Sequence, residues 1–271
     1  VKATKRVALV TGASSGIGQS TALALIKAGF EVVGTSRKAS GNTDHDGVPL
    51  IALDVGDDES AKAAVQQMID RFGRLDVLVN NAGIGSTGAA EERSLAEDER
   101  VFNINVFGPI RMAKAALPHM RAQGNGRIIN ISSVLGIIPA PYMAAYAASK
   151  HAIEGYTESL DHEIREFGVR ALIVQPAYTK TSFEANALPP EAPLPLYAER
   201  RKVLDGVMAE AIQIGDDPAI VGEVVATAAT DAKPKLRYTA GPTARRVSKL
   251  RRFAPAGAFD KQIRKLNRIR S

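Results

Sequence analysis

Tyr146 and Lys150 stand four residues apart in Tyr146-Ala147-Ala148-Ser149-Lys150. On a helix that spacing puts both on one face, separated by a rise of about 6 Å. A free phenol, with a pKa near ~10, is a poor base at neutral pH, but an ammonium fixed a few ångströms away favours the phenolate. Tyr146 can then exchange a proton with an alcohol or a carbonyl. Ser133 supplies a third group. It follows the apolar run Arg127-Ile128-Ile129-Asn130-Ile131-Ser132, which reads as a buried strand. Its hydroxyl would emerge at the strand's carboxyl end, where ligands bind in open parallel sheets. A Tyr-x-x-x-Lys spacing also occurs on solvated helix faces, so the surrounding elements decide its meaning.

Those elements alternate. Lys5 to Thr11 reads as a short strand, and Gly12-Ala13-Ser14-Ser15-Gly16-Ile17-Gly18 then opens a helix running to Ala28. Glycines here permit a tight turn and let a helix N-terminus approach a pyrophosphate. A second strand, Glu31 to Ser36, ends at Arg37-Lys38. In a nucleotide fold this strand end faces the adenosine ribose, where an acid would bind the 2′-hydroxyl and an arginine suits a 2′-phosphate. With Ser36 and Arg37 in place and no acid before Asp44, NADP(H) is favoured, with NAD(H) as the second choice.

The polar stretch from Ala39 to Gly47 reads as a loop before a third strand, Leu50 to Val55. A helix over Glu59 to Phe72 and a strand over Leu75 to Val79 lead to the turn Asn80-Asn81-Ala82-Gly83. A helix from Asn103 to Gln123 carries Asn105, locally no more than a tolerated polar residue. A long helix from Ala144 to Phe167 and a strand over Leu172 to Gln175 follow. This alternation, without a break in composition, predicts one α/β domain of the Rossmann type, a doubly wound parallel sheet of about seven strands with helices on both faces. Pro189, Pro190, Pro193 and Pro195 exclude ordinary helix between Ser182 and Tyr197. So long a loop reads as a lid over a site. Helices near Glu199 to Ile214 and Pro218 to Thr230 and a strand around Leu236 to Thr239 complete the domain.

Composition narrows the function classes. Of 271 residues 45% are hydrophobic, enough for a sizeable core, and none is cysteine, which excludes disulfides and thiolate chemistry. His45, His119, His151 and His162 show no metal-ligand spacing, so no metal is expected. No run approaches the roughly 18 apolar residues of a membrane span, and a strand beginning so early leaves no room for a secretory signal, so the expected location is cytoplasmic. The net charge of +6 is uneven: Ala244 to Ser271 holds ten Lys and Arg against Asp260 alone, making the tail +9 and the body −3. Within the tail, Phe259, Ile263, Leu266 and Ile269 would share one helix face. Docking of that face on the body or on another subunit is the preferred reading over contact with a membrane surface, and nucleic acid is not the expected partner.

Taken together, Thr11-Gly12-Ala13-Ser14-Ser15-Gly16-Ile17-Gly18, Asp54-Val55, Asn80-Asn81-Ala82-Gly83, Asn105, Ser133 and Tyr146 with Lys150 resemble the short-chain dehydrogenase/reductase family over about residues 5 to 242. The stretches Gly108 to Met120 and His151 to Gly155 are similar to its 17β-hydroxysteroid and retinol dehydrogenase branch. The resemblance implies a catalytic tetrad of Asn105, Ser133, Tyr146 and Lys150, with Asn105 anchoring a water that relays protons from Lys150. It implies a cofactor held by Gly12, Ser14, Ser15, Gly16, Ile17, Gly18, Ser36 and Arg37, with Asp54 and Val55 at the adenine. Asn81, Ala82 and Gly83 would lie beside the adenosine ribose, and Pro176, Thr179 and Thr181 around the nicotinamide. Tyr146 and Lys150 would touch the cofactor as well, Lys150 gripping the nicotinamide ribose. Two departures stand out: Pro176-Ala177 where many members have Pro-Gly, and Ser15 where NADP-preferring members often carry a basic residue.

Leu135, Tyr142, Met143 and Tyr178, with the 182 to 204 loop, would face an apolar alcohol or carbonyl substrate. The resulting expectation is an oxidoreductase domain over 1–242, with a substrate loop near 177–212, followed by a basic extension over 243–271. A homodimer or homotetramer pairing the helices at 103 to 123 and 144 to 167 is implied by family habit. A nucleotide-binding regulator whose chemistry is incidental is the competing reading.

Overall fold

A computed structural model describes residues 5–39, 43–183 and 186–269. Its centre is strand β1 (Val7–Val10), whose four residues are fully buried. Strands this apolar suit a parallel sheet covered on both faces. Beside β1 lie β2 (Glu31–Ser36) and β5 (Val77–Asn80), with Ala8 level with Val32 on one side and Val77 on the other. Outward from β2 comes β4 (Val48–Ala52); outward from β5 come β6 (Gly126–Ile131), β7 (Val169–Pro176) and β8 (Arg237–Ala240). These seven strands are parallel, as expected.

An eighth strand was not expected. The Ala39 to Gly47 stretch contains β3 (Thr43–His45), paired antiparallel with β4. The reason is local: Asp46 and Gly47 both take positive φ, 52° and 82°, the backbone that closes a two-residue hairpin. Residues 40–42 of that stretch lie outside the described residues.

Alternate residues of β1 feed two cores. Val7 and Leu9 pack with Met68 of α2 (Asp58–Phe72), Met112 and Met120 of α4 (Gly108–Gln123) and Leu160 of α5 (Ala144–Ile164). Ala8 and Val10 pack with Leu25 of α1 (Gly16–Lys27) and with Val221 and Val225 of α7 (Pro218–Thr230). Because β2 and β5 lie on opposite sides of β1, the loops leaving β1 and β5 diverge at the sheet's carboxyl edge, the position where ligands bind in open parallel sheets.

The expected helix over 103 to 123 is interrupted. Leu95–Phe102 forms α3, Asn103–Phe107 a π-helical turn, and α4 only then begins. The proline-rich segment holds no α-helix among its described residues, only a 3-10 turn at Pro195–Tyr197 before α6 (Ala198–Gln213). At the end of the chain α8 (Gly241–Phe253) grows directly from β8, and α9 (Ala256–Leu266) follows. No described helix is long and apolar enough to cross a membrane.

Candidate active site

α5 carries Tyr146 and Lys150 in its first two turns, both buried at 7% exposure. The Lys150 ammonium donates to the Ile131 carbonyl at 2.9 Å, at the end of β6, and lies 5.6 Å from the centre of the Tyr146 ring. Burial pulls the Lys150 pKa down from 10.5 to about 8, against the opposing pull of the Glu154 carboxylate. Lys150 is therefore a cation at neutral pH, held at the edge of losing its proton.

Ser133 follows β6 and caps the 3-10 turn Val134–Gly136, its Oγ accepting the Leu135 N–H at 3.1 Å. Asn105 lies in the π-helical turn, a distortion that often marks function. Its amide is fastened on three sides: Oδ1 accepts from Ile84 N at 2.9 Å, and Nδ2 donates to Ile84 O at 2.8 Å and to Ser149 Oγ at 3.2 Å. β6, α5 and the π-helical turn thus bring the four expected groups to the carboxyl edge of the sheet.

The glycine turn is packed to its limit. Gly12 and Gly16 have φ of 65° and 54°, and a Cβ on Gly18 would come within 2.1 Å of the Gly12 carbonyl oxygen. Ser15 caps α1 without a side-chain bond, and the first turn carries no acidic residue, so its N–H groups face an uncontested cradle. Ile17 packs on the core and Ser14 is half-buried. Thr181 abuts Gly16, because a Cβ there would meet its Cγ2 at 3.1 Å. Arg37 is exposed just past β2, beside Ser36, whose Oγ accepts the Lys38 N–H.

Three residues expected at the cofactor also engage their side chains within the chain. Asn81 Nδ2 donates to the Thr11 and Gly12 carbonyls at 2.9 and 3.0 Å, clamping the glycine turn from below. Val55 is buried in the core against Gly108. Thr179, 3% exposed, turns its hydroxyl to the Ala177 carbonyl at 3.1 Å, within a backbone bridge to Asp216. Asp54 accepts the Gly56 N–H at 2.8 Å, and Gly83 lies against Asn105, with Ala82 half-buried beside it. Pro176, the last residue of β7, is buried.

On the substrate side Leu135 and Tyr142 are half-buried and Met143 is buried. Tyr142 is one of the few non-glycine residues with positive φ, at 62°, and its ring meets that of Tyr197 edge-on at 6.2 Å. Such backbone outliers cluster where a fold holds a group in place for function. Tyr178 is half-buried, and its carbonyl accepts the Asp216 N–H at 2.9 Å.

Sequence reasoning passed over two features. Phe183 covers Tyr146, ring centres 5.8 Å apart. Glu154, one turn beyond Lys150 and 3% exposed, accepts from Ser132 Oγ at 2.7 Å and Gln175 Nε2 at 2.8 Å, and from Arg237 at 3.2 Å. It ties the ends of β6 and β7 to β8, through the residue that precedes Ser133. The available signal was the helical spacing of Glu154 after Lys150 in a chain segment otherwise apolar on that side.

The proline-rich loop is fastened rather than loose. Arg93 donates to the Thr87 and Leu188 carbonyls at 3.3 and 3.2 Å, Glu97 accepts from Glu191 N at 3.1 Å, and Glu92 accepts from Leu194 N at 2.8 Å and from Arg201. A cavity of about 270 Å³ opens behind it, lined by Thr87, Pro190 and Arg201 among others and by none of the four expected catalytic residues.

A doubly wound parallel sheet with a glycine turn at its carboxyl edge is the fold of a nucleotide-binding α/β protein. The family model described as short chain dehydrogenase matches residues 6–192, and the chain belongs to that family, whose members act on alcohol and carbonyl groups. It is 45% identical over 181 residues to 3-ketodihydrosphingosine reductase of Bacteroides thetaiotaomicron, a match spanning 67% of this chain and 66% of that enzyme. It is 32% identical over 274 residues to retinol dehydrogenase 8 of Bos taurus, across 94% of this chain and 87% of the relative. A short-chain dehydrogenase structure from Streptomyces avermitilis superposes with a TM-score of 0.81 at 35% identity, covering 98% of this chain and 96% of that one. Solved structures at 25 to 26% identity hold NADH, NAD or NADP.

Proposed function

We propose that this chain is an NADP(H)-dependent oxidoreductase that interconverts an alcohol with the corresponding ketone or aldehyde on an apolar small molecule, a secondary alcohol and a ketone in the first instance, with Tyr146 as general acid and base. The observation that carries it is the buried Lys150 ammonium beside the Tyr146 ring. A cation that burial has made costly to keep favours an anion next to it, so the phenolate becomes accessible and Tyr146 can give and retake a proton.

The residues present fit the dinucleotide. The crowded turn at Gly12, Gly16 and Gly18 leaves backbone N–H groups as the natural phosphate ligands, and Arg37 stands where a 2′-phosphate would be met. Ser14, Ser15, Asp54 and the backbone around Asn81 would hold the adenosine half, with Thr181 at the nicotinamide end. When bound, the nicotinamide supplies or accepts the hydride.

Every other task falls to the protein. Ser133 Oγ accepts from Leu135 N and keeps its own hydrogen to donate to the substrate oxygen. Tyr146 delivers the proton to that oxygen in reduction and removes it in oxidation. Lys150 keeps the phenol poised and would reach the nicotinamide ribose. Asn105 fixes Ile84 and retains one lone pair for a relaying water. Phe183, Tyr142, Met143, Leu135 and Tyr178 give the substrate an apolar and aromatic enclosure. That enclosure agrees with the lipid-like compounds in the names of the two curated relatives.

Exposed Phe107 and Phe167 flank the α4 and α5 pair and suit the pairing of two copies in a homodimer or homotetramer, acting in the cytoplasm. Purified protein should oxidise NADPH with a member of a panel of apolar ketones, and Tyr146→Phe should lower turnover by roughly 10²- to 10⁴-fold with NADPH affinity unchanged. Turnover retained in that variant would reject the role of Tyr146.

A further inference from the structure

The last two helices show one face to the body and another to solvent. On the inner side of α8, Ala244 is fully buried and Arg251 donates to the Ile137 carbonyl at 2.9 Å, just past Ser133. Arg251 also covers the ring of Phe259 on α9 at 5.1 Å. Beyond α9, the Arg268 carbonyl accepts from Arg200 at 2.8 Å, and the Arg268 side chain pairs with Glu210 at 2.6 Å, both partners on α6. The tail is therefore docked along the substrate side of the site. Its marked apolar face is partly used for this, since Phe259, Ile263 and Ile269 are half-buried.

What remains outside is a second face with its own composition. At 3.6 residues per turn, Arg246, Lys249, Leu250 and Phe253 project opposite Ala244 and Arg251. All four are exposed, Phe253 at 75% and Leu250 at 47%. On α9 the outward positions are Lys261, Arg264 and Lys265, all basic and exposed. Leu196, 79% exposed, precedes Tyr197, the residue that meets Tyr142 at the substrate wall, and so belongs to the same rim.

A single exposed apolar residue is ordinary on a solvated helix, but here two large ones share one face with cations. Basic side chains sharing a face with an exposed phenylalanine and leucine are the pattern of an interfacial helix, in which cations meet lipid phosphates while apolar groups enter the acyl boundary. A nucleic-acid stripe would use the charges and leave Leu250 and Leu196 without a role. The geometry points to the outward face of α8 and α9 as a docking surface for an anionic phospholipid bilayer, placed so that an apolar substrate passes from the lipid to the entrance beside Tyr142. The passage of substrate rests on the proposed oxidoreductase function; the docking does not.

Co-sedimentation with phosphatidylcholine vesicles, with and without phosphatidylglycerol, tests this on the full chain. The chain should bind the anionic vesicles, release them at high salt, and ignore the neutral ones. Leu250→Ser with Phe253→Ser, and separately Arg246→Glu with Lys249→Glu, should each weaken binding by about tenfold or more. The circular dichroism of both variants and their turnover of a water-soluble carbonyl should stay unchanged. Variants that bind like the parent, binding to single-stranded RNA without binding to vesicles, or a parent oligomer that Phe253→Ser dissociates would each overturn the proposal. Vesicle binding is read without turnover, so an inactive parent protein would count against the oxidoreductase reading alone.

Discussion

The floor and the cover of the candidate site are built from different forces. On the floor, backbone does most of the holding: the glycine turn folds against itself, Asn81 bonds two of its carbonyls, and Lys150 bonds a strand end. On the cover, buried charged side chains do it, with Glu92, Arg93 and Glu97 reaching the backbone of a segment about a hundred residues away. A floor of backbone contacts tolerates little change and suits an invariant partner such as a phosphate. A cover pinned at a few charged points can change its intervening residues and so its substrate, while keeping its place.

The sharpest way to break the floor is Gly18→Ala. Its new methyl would collide with the Gly12 carbonyl and with Asn81 Nδ2, so NADPH should bind about a hundredfold more weakly in a fluorescence titration, a loss of about 3 kcal/mol. Unchanged affinity would mean that the turn does not hold the phosphates.

The cover should yield to Glu92→Ala. Burial pushes the Glu92 carboxyl up, but the Ala89 and Leu194 N–H groups and Arg201 outweigh it and hold the pKa below the ordinary carboxylate value. A depressed pKa means that the stabilisation is present above the unfolded value and is lost as pH falls through the folded one. Removing the side chain takes the carboxylate away from Arg201, which keeps only the Leu194 carbonyl, and leaves the Ala89 and Leu194 N–H groups unpaired. The loss should lower the unfolding free energy by about 3 kcal/mol in a denaturant titration at neutral pH. NADPH affinity should not move; if it falls as far as in Gly18→Ala, floor and cover are one unit and the contrast fails.

A smaller effect is expected at the rim of the floor. Arg37→Ser removes an exposed cation without disturbing packing, so NADPH should lose about tenfold in kcat/KM relative to NADH. An unaltered ratio would move the choice of cofactor to another residue.

What could be read from the chain divides along the same line. The spacing of Tyr146 and Lys150, the glycine turn and the alternation of strands and helices are local patterns, and all lie where the sequence suggests. Glu154 escaped because its meaning lies in Ser132, Gln175 and Arg237, the last 83 residues away. The fastening of the proline-rich loop escaped for the same reason: prolines exclude helix but do not reveal that Arg93 waits for the Leu188 carbonyl. The bonds of the Asn81 side chain escaped for the same reason, since the Thr11 and Gly12 carbonyls lie about seventy residues away. The β3 hairpin is different, since its Asp46-Gly47 turn is a local signal that a polar surrounding concealed. Nothing nearby announces the left-handed backbone of Tyr142.

The central claim is that the Lys150 ammonium makes Tyr146 an acid and base, and the pH dependence of kcat/KM for ketone reduction by NADPH tests it most directly. Lys150 carries its charge below its lowered pKa and loses it above, so the rate should hold up to a pH of about 8 and fall beyond it. Lys150→Met should be at least about a hundredfold slower and lack that fall. A parent profile that stays flat into strongly alkaline solution, or a Lys150→Met variant as fast as the parent, would contradict the account.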